Sequence, residues 1–189
     1  MPADGDTFEW RVSVAHIDVS GPFSDFASYH RTMVLLQGDG VELEFSDGSR
    51  RSLLRVGDLA EFDGGLPTYC RLLGGPCVDL NLMVAKSLEA KVSVQHLTAR
   101  GLNASASSVE STLIFSLDAA IMVRTDGTQP MLLEPWDLGI ISDCSVRVTL
   151  KEGLRVSRQE SGASPNPGAT SNLSASANPS AVFFATISH

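Results

Sequence analysis

VELEFSDGSRRSLLRVGDLAEFDGG, running from Val41 to Gly65, decides the fold, because the chain carries a second version of it. That version is IMVRTDGTQPMLLEPWDLGIISDCS, from Ile121 to Ser145. Asp47-Gly48 answers to Asp126-Gly127, the GDL at Gly57 to the WDL at Trp136, and Asp63 to Asp143. Further out, RVSVAHI (Arg11 to Ile17) answers to KVSVQHL (Lys91 to Leu97). The offset stays at 79 or 80 residues throughout. A chance likeness does not hold its phase over such a length, so one unit stands in the chain twice.

Each copy reads as β-structure. Val41, Leu43 and Phe45 alternate with Glu42 and Glu44, the period of a strand with one face toward water. Asp47-Gly48 supplies the positive φ of a tight hairpin. RSLLRV is the returning strand, and Gly57-Asp58 makes the next turn. TYCRLL and VDLNLM are further strands on either side of a GGP turn at Gly74. Only SASSVEST, beginning at Ser105, offers the Ser and Thr caps that open a helix.

Two units of short antiparallel strands predict barrels or sandwiches rather than a parallel sheet. A lone unit leaves its strand edges open, and two units packed together cover them. The expectation is an all-β chain: a double antiparallel β-barrel of two repeats packed as one domain. The first half covers 8–89, and the second covers 90–156 together with 181–188. Between the two pieces of the second half, residues 157–180 are rich in Ser, Ala, Asn and Pro and cannot build a core. They are expected to form a flexible insertion, after which AVFFATISH turns apolar again and supplies a closing strand, with VFFATI at Val182 in the place that VDLNLM at Val78 holds in the first half.

Composition limits the function. Hydrophobic residues make up 43% of the 189, a globular value. A net charge of -8 repels phosphate backbones and anionic lipid surfaces, which argues against nucleic-acid and membrane partners. MPADGDTFEW has neither the basic nor the apolar region of a secretion signal. Cys70, Cys77 and Cys144 are odd in number and form no CxxC pair, as expected of a reduced, cytoplasmic protein.

Several blocks then carry a family likeness. SGPFS at Ser20, YHR at Tyr29, FDGGLP at Phe62 and GGPCVDLNLM at Gly74 together resemble the HutD/Ves family. The likeness is strong over residues 8–85 and generic afterwards. It implies a double cupin-like (RmlC-like) barrel and a role beside histidine degradation. Members are thought to bind a small metabolite and modulate the pathway rather than catalyse a step. After DLNLM, where the family commonly continues with a basic, Arg-rich segment, this chain has VAKS.

The residues themselves support binding better than catalysis. The histidines are His16, His30, His96 and His189, and no two form an HxH pair. The metal set of three His and one Glu common in cupins is not readable, so the expectation is a barrel without metal or other cofactor. Ser24 lies in GPFSDF, which is not a nucleophile elbow, so no catalytic residue is assigned. Strand parity puts Asp79, Asn81 and Met83 on one face of VDLNLM, and groups Arg31 with Tyr29 and Met33. An inward Arg31 is a natural fork for a ligand carboxylate; it serves equally as the partner of Asp63 or Asp79 in a structural ion pair.

The candidate ligand-binding set is therefore Ser24, Tyr29, His30, Arg31, Asp63, Asp79, Asn81 and Met83. The expected ligand is a small carboxylate, formylglutamate- or urocanate-like. Two other readings stay open. One is a metal-independent isomerase, epimerase or hydrolase using His30 or Tyr29 against Asp63. The other is an interaction protein whose strand edges pair with a partner, a second copy of the chain included.

Overall fold

The computed structural model describes residues 8–97, 101–105, 110–142, 145–150 and 180–188. Among these are sixteen strands and no helix. The first eight are β1 (Trp10–Ile17), β2 (Gly21–Pro22), β3 (Tyr29–Gln37), β4 (Val41–Phe45), β5 (Arg50–Leu53), β6 (Leu59–Asp63), β7 (Thr68–Leu72) and β8 (Cys77–Ala85). The second eight are β9 (Glu89–His96), β10 (Leu102–Ser105), β11 (Glu110–Ser116), β12 (Ile121–Thr125), β13 (Met131–Leu133), β14 (Leu138–Ser142), β15 (Ser145–Leu150) and β16 (Ala181–Ser188).

The strands form four antiparallel sheets of four. In the first half the orders are β1-β8-β3-β6 and β2-β7-β4-β5; in the second they are β9-β16-β11-β14 and β10-β15-β12-β13. Adding eight to each strand number of the first pair gives the second. Every sheet ends in two edge strands, so the pairing closes no barrel among the described residues, in contrast to the expected closed form.

The GDL and WDL motifs build the same turn. Asp58 accepts hydrogen bonds from the backbone N–H groups of Leu54 (2.8 Å) and Arg55 (3.0 Å), and Asp137 accepts one from Glu134 N–H (2.9 Å). Gly57 N–H donates to Leu35 O at 2.8 Å, as Trp136 N–H donates to Ser116 O at 2.7 Å. The turn requires a left-handed residue: φ is 91° at Gly57 and 71° at Trp136. Glycine adopts this freely, whereas tryptophan there is strained.

Three apolar layers hold the sheets together. Met33, Leu35, Val41, Leu43 and Leu53 fill the space between the two sheets of the first half. Ile114, Ile121, Val123, Val148 and Phe184 do the same in the second. Leu80, Leu82, Val84, Leu113, Phe115 and Phe183 join β8 and β3 to β11 and β16 across the middle. The sheet containing β8 is thus covered on both faces, and β8 is buried along nearly its whole length. Even residues of β8 meet the middle layer, and odd ones face into the first half.

The closing strand runs over Ala181–Ser188, between β11 and β9. Its register places Ala181 opposite His96, where the first half places Val78 opposite His16. Val78 therefore corresponds to Ala181, one residue before the Val182 that sequence matching selects. SASSVEST, which has the caps to open a helix, is strand at its ends: Ser105 closes β10 and Glu110 opens β11. The expected insertion, 157–180, lies outside the described residues except for Ser180.

Candidate functional site

Arg31, Asp79 and Asn81 are the charged and amide side chains buried inside the first half. Their exposures are 6%, 1% and 5%. All three stand on the inward face, as strand parity requires: Arg31 on β3 lies opposite Met83 of β8, and Asn81 lies opposite Met33. Arg31 Nη2 donates to Asn81 Oδ1 at 2.7 Å, and Asn81 Nδ2 donates to Asp79 Oδ2. The amide thus links cation to carboxylate, and Arg31 makes no ion pair within 4.0 Å among the described residues.

Three rings surround the guanidinium. Its carbon lies 5.0 Å from the centre of Phe23, 5.1 Å from Phe62 and 5.5 Å from Phe26. Cation–π attraction offsets part of the desolvation. Burial still lowers the Arg31 pKa from its ordinary value, against the opposing pull of Asp79. Arg31 Nε is buried with no hydrogen-bond partner. An unpaired donor on a buried cation is costly.

A cleft of about 620 Å³ opens onto this cluster. Its polar wall is Arg31, Asp79, Asn81, His16, Asp18 and Ser24, and Phe23 and Phe26 make the apolar side. The loop carrying SGPFS covers it, tied down by Phe23 N–H to Thr68 O and Phe26 N–H to Gly64 O, both 2.9 Å. Burial pushes the Asp79 pKa up to about 6, with Arg31 and the Asn81 hydrogen bond pulling the other way. Both sites of a buried pair are thus at odds with their charges, a pattern common where ligands bind.

Of the sequence-derived set, the cleft gathers Ser24, Arg31, Asp79 and Asn81. The others fall elsewhere. Tyr29 is half-buried and stacks on Phe8 with ring centres 4.2 Å apart, its hydroxyl accepting Phe8 N–H at 3.2 Å. Met83 is buried beside Arg31 but does not line the cleft. His30 and Asp63 are exposed and face each other across β3 and β6, at a separate hollow of about 320 Å³ that Arg31 also borders.

Asp63 is held by Lys86 Nζ at 2.7 and 2.6 Å, and it accepts Gly65 N–H at 2.8 Å. These bonds keep its pKa below the ordinary carboxylate value. Asp63 therefore makes a weak base and is not the partner of Arg31. Sequence reading missed His16 at the rim, the Lys86 partner and the three-ring cage. Lys86 stands in the VAKS segment that departs from the family pattern, and Phe62 opens FDGG, so both had a visible signal.

A cupin metal does not fit here. Among the described residues no group of three His, Cys, Asp or Glu side chains is placed to hold an ion. His16 is the single histidine on the cleft.

The second half lacks the cluster. By strand register Arg31 corresponds to Thr112, Asp79 to Val182 and Asn81 to Phe184. Two of these three polar positions are thus apolar core in the second half, and the third is a buried threonine.

Comparison with known proteins agrees with the sequence blocks. The HutD family model matches residues 1–157. An uncharacterized 21.2 kDa protein in the hutC 3' region of Pseudomonas putida is 38% identical over 133 residues, covering 70% of this chain and 67% of that one. A solved protein of unknown function from Pseudomonas aeruginosa PAO1 superposes with a TM-score of 0.75 and 25% identity, over 99% of this chain and 84% of that one. HutD from Pseudomonas fluorescens SBW25, solved in a formate condition, gives 0.65 and 22% over 96% and 79%. A cupin 2 conserved barrel domain protein from Leptotrichia buccalis shares the fold alone, at 0.56 and 9% over 97% and 85%. No helix among the described residues is long and apolar enough to cross a membrane. The fold is all-β and cupin-like, and with more than half of its length matched by the family model, the chain belongs to the HutD family.

Proposed function

We propose that the protein binds a small carboxylate in the first-half cleft, with Arg31 as the anchor, and acts as a metabolite-responsive regulator linked to histidine utilisation. The observation that carries this reading is Arg31, a buried cation with an unpartnered Nε and no ion pair among the described residues, lining a 620 Å³ cleft. A guanidinium stays charged at any working pH and presents donors in a planar fork suited to a carboxylate. Among the described residues its only side-chain hydrogen-bond partner is a neutral amide.

Formylglutamate- and urocanate-like compounds are the first candidates. The hutC neighbourhood of the Pseudomonas putida relative supports that choice. Turnover has less support, because His30, Tyr29 and Asp63, the groups that the enzyme reading would use, do not line the cleft. We read the two halves, 8–89 and 90–156 with 181–188, as copies of one cupin-like unit packed into a single domain, the first copy binding and the second serving as scaffold. The eight-strand shift between sheet orders supports this. Cytoplasmic location and the absence of nucleic-acid partners belong to the same reading and rest on the acidic charge and the cysteine pattern.

A thermal-shift screen of N-formylglutamate, urocanate and related carboxylates against the full chain tests it. At least one compound should raise Tm with a concentration dependence that saturates. A well-folded sample that no compound stabilises at millimolar concentration counts against the reading.

A further inference from the structure

Asp79 is the second buried charge of the cleft, and carboxylate binding at Arg31 leaves it unaccounted for. Its neighbours across the sheet are Ala15 on β1 and Leu35 on β3, neither of which solvates a charge. Its one side-chain hydrogen bond comes from Asn81, and Asn81 turns its oxygen to Arg31. The ligand-free cleft therefore balances one cation against one anion through a shared amide. A ligand carboxylate arriving at Arg31 brings a second negative charge into the same poorly solvated space. Two carboxylates facing one cation there cannot both stay ionised without large cost, so one of them takes up a proton.

We propose that carboxylate binding at Arg31 is coupled to uptake of one proton by Asp79, so that the site takes an anion and a proton together. The inference rests on the reading of the cleft as a carboxylate site. Protonation also changes what Asp79 offers, from an acceptor-only group to one with an O–H donor that can face the incoming anion. The ligand-free group is already poised for this, since burial has brought its pKa up to about 6.

The other titratable groups around it are few. Arg31 faces it from β3 and Cys70 from β7, with Cys77 on its own strand, while His16 at the end of β1 and Asp18 in the following loop border the same cleft. Burial pushes the Cys70 thiol up to about 12, outside the useful range. His16 borders the cleft, so a variant there separates its contribution from that of Asp79.

The test is calorimetric titration of the full chain with N-formylglutamate, whose carboxyls do not titrate above pH 5.5. Runs at pH 7 in phosphate and in Tris compare buffers of different ionisation enthalpy. The expected result is uptake of roughly 0.5–1 proton per ligand, and affinity falling roughly ten- to thirty-fold from pH 6 to pH 8. Asp79→Asn should bind without proton uptake and with an affinity nearly independent of pH. His16→Gln should keep the wild-type proton uptake.

Binding to the wild type with no buffer dependence overturns the coupling while leaving the carboxylate reading intact. No binding to the wild type removes that reading, and the inference with it. Proton uptake that disappears in His16→Gln assigns the proton to His16 and overturns the role given to Asp79. The buffer comparison on the wild type decides the coupling even where a variant fails to fold.

Discussion

Asp79→Asn should make the protein more stable at neutral pH, and the gain should shrink in acid. The argument is one of linkage. Asp79 has an ordinary pKa of 3.8 and a folded value of about 6, raised by burial. Between these values the folded state holds a proton that the unfolded chain has released, so stability falls as pH rises through this window. Above it, the charged carboxylate costs the fold about 3 kcal/mol relative to its protonated form. Asparagine has nearly the shape of the protonated acid and no charge to lose.

Between pH 4.5 and pH 7, the stability difference between Asp79→Asn and wild type should therefore shift by about 2 kcal/mol in favour of the variant. Urea denaturation of both proteins at the two pH values measures this. Comparing the two differences cancels whatever asparagine changes at every pH. An equal difference at both values shows that burial does not oppose the charge. A variant that loses ground at pH 7 shows that Asp79 is a structural counter-ion of Arg31, and the chain of reasoning that places a ligand there fails.

Three further outcomes follow from the packing. Phe183 is fully buried in the middle layer, so Phe183→Ala should cost about 3–5 kcal/mol in chemical denaturation, and a much smaller loss contradicts the closing strand. At Gly38, φ is 113° and a Cβ would stand 2.5 Å from Cys77 Sγ and 2.8 Å from Pro76 O. Gly38→Ala should therefore lower stability by about 2 kcal/mol or more, measured the same way. Trp136 is 39% exposed and holds a left-handed φ where the first half has glycine, so Trp136→Gly should raise stability by about 1 kcal/mol, and a loss would mean that its ring packing outweighs the strain.

Much of the fold was legible because two stretches of the sequence read alike. Val41 to Gly65 and Ile121 to Ser145 share their alternation and their turns, and the closing strand 181–188 could be placed by asking where a counterpart of VDLNLM lies after Ser145. Parity grouped Asp79 with Asn81 on β8 and Arg31 with Met33 on β3, since side chains alternate along any strand, and the pairing of β3 with β8 puts them on one face. What failed depended on partners. Closing a barrel depends on which edges pair, and no single strand encodes that. SASSVEST has the caps of a helix, but its ends pair with β15 and with β14 and β16. Opposite charge makes Asp63 one of two possible ion-pair partners for Arg31, yet Phe62 takes the inward place on β6 and Asp63 turns outward to Lys86. The one-residue slip at Val182 arose because Val78 and Val182 look alike, while the ladder with β9 sets the register.

The most direct measurement is titration calorimetry of N-formylglutamate and urocanate into wild type and Arg31→Met, alongside urea denaturation of both at pH 5.5, where most Asp79 is protonated. The account predicts that the variant folds with stability within about 1 kcal/mol of wild type, because no ion pair is broken. It predicts an affinity loss of about 2–5 kcal/mol for whichever carboxylate the wild type binds. Unchanged affinity, or a stability loss of about 3–5 kcal/mol with no wild-type binding, would make Arg31 part of the scaffold and contradict the central claim.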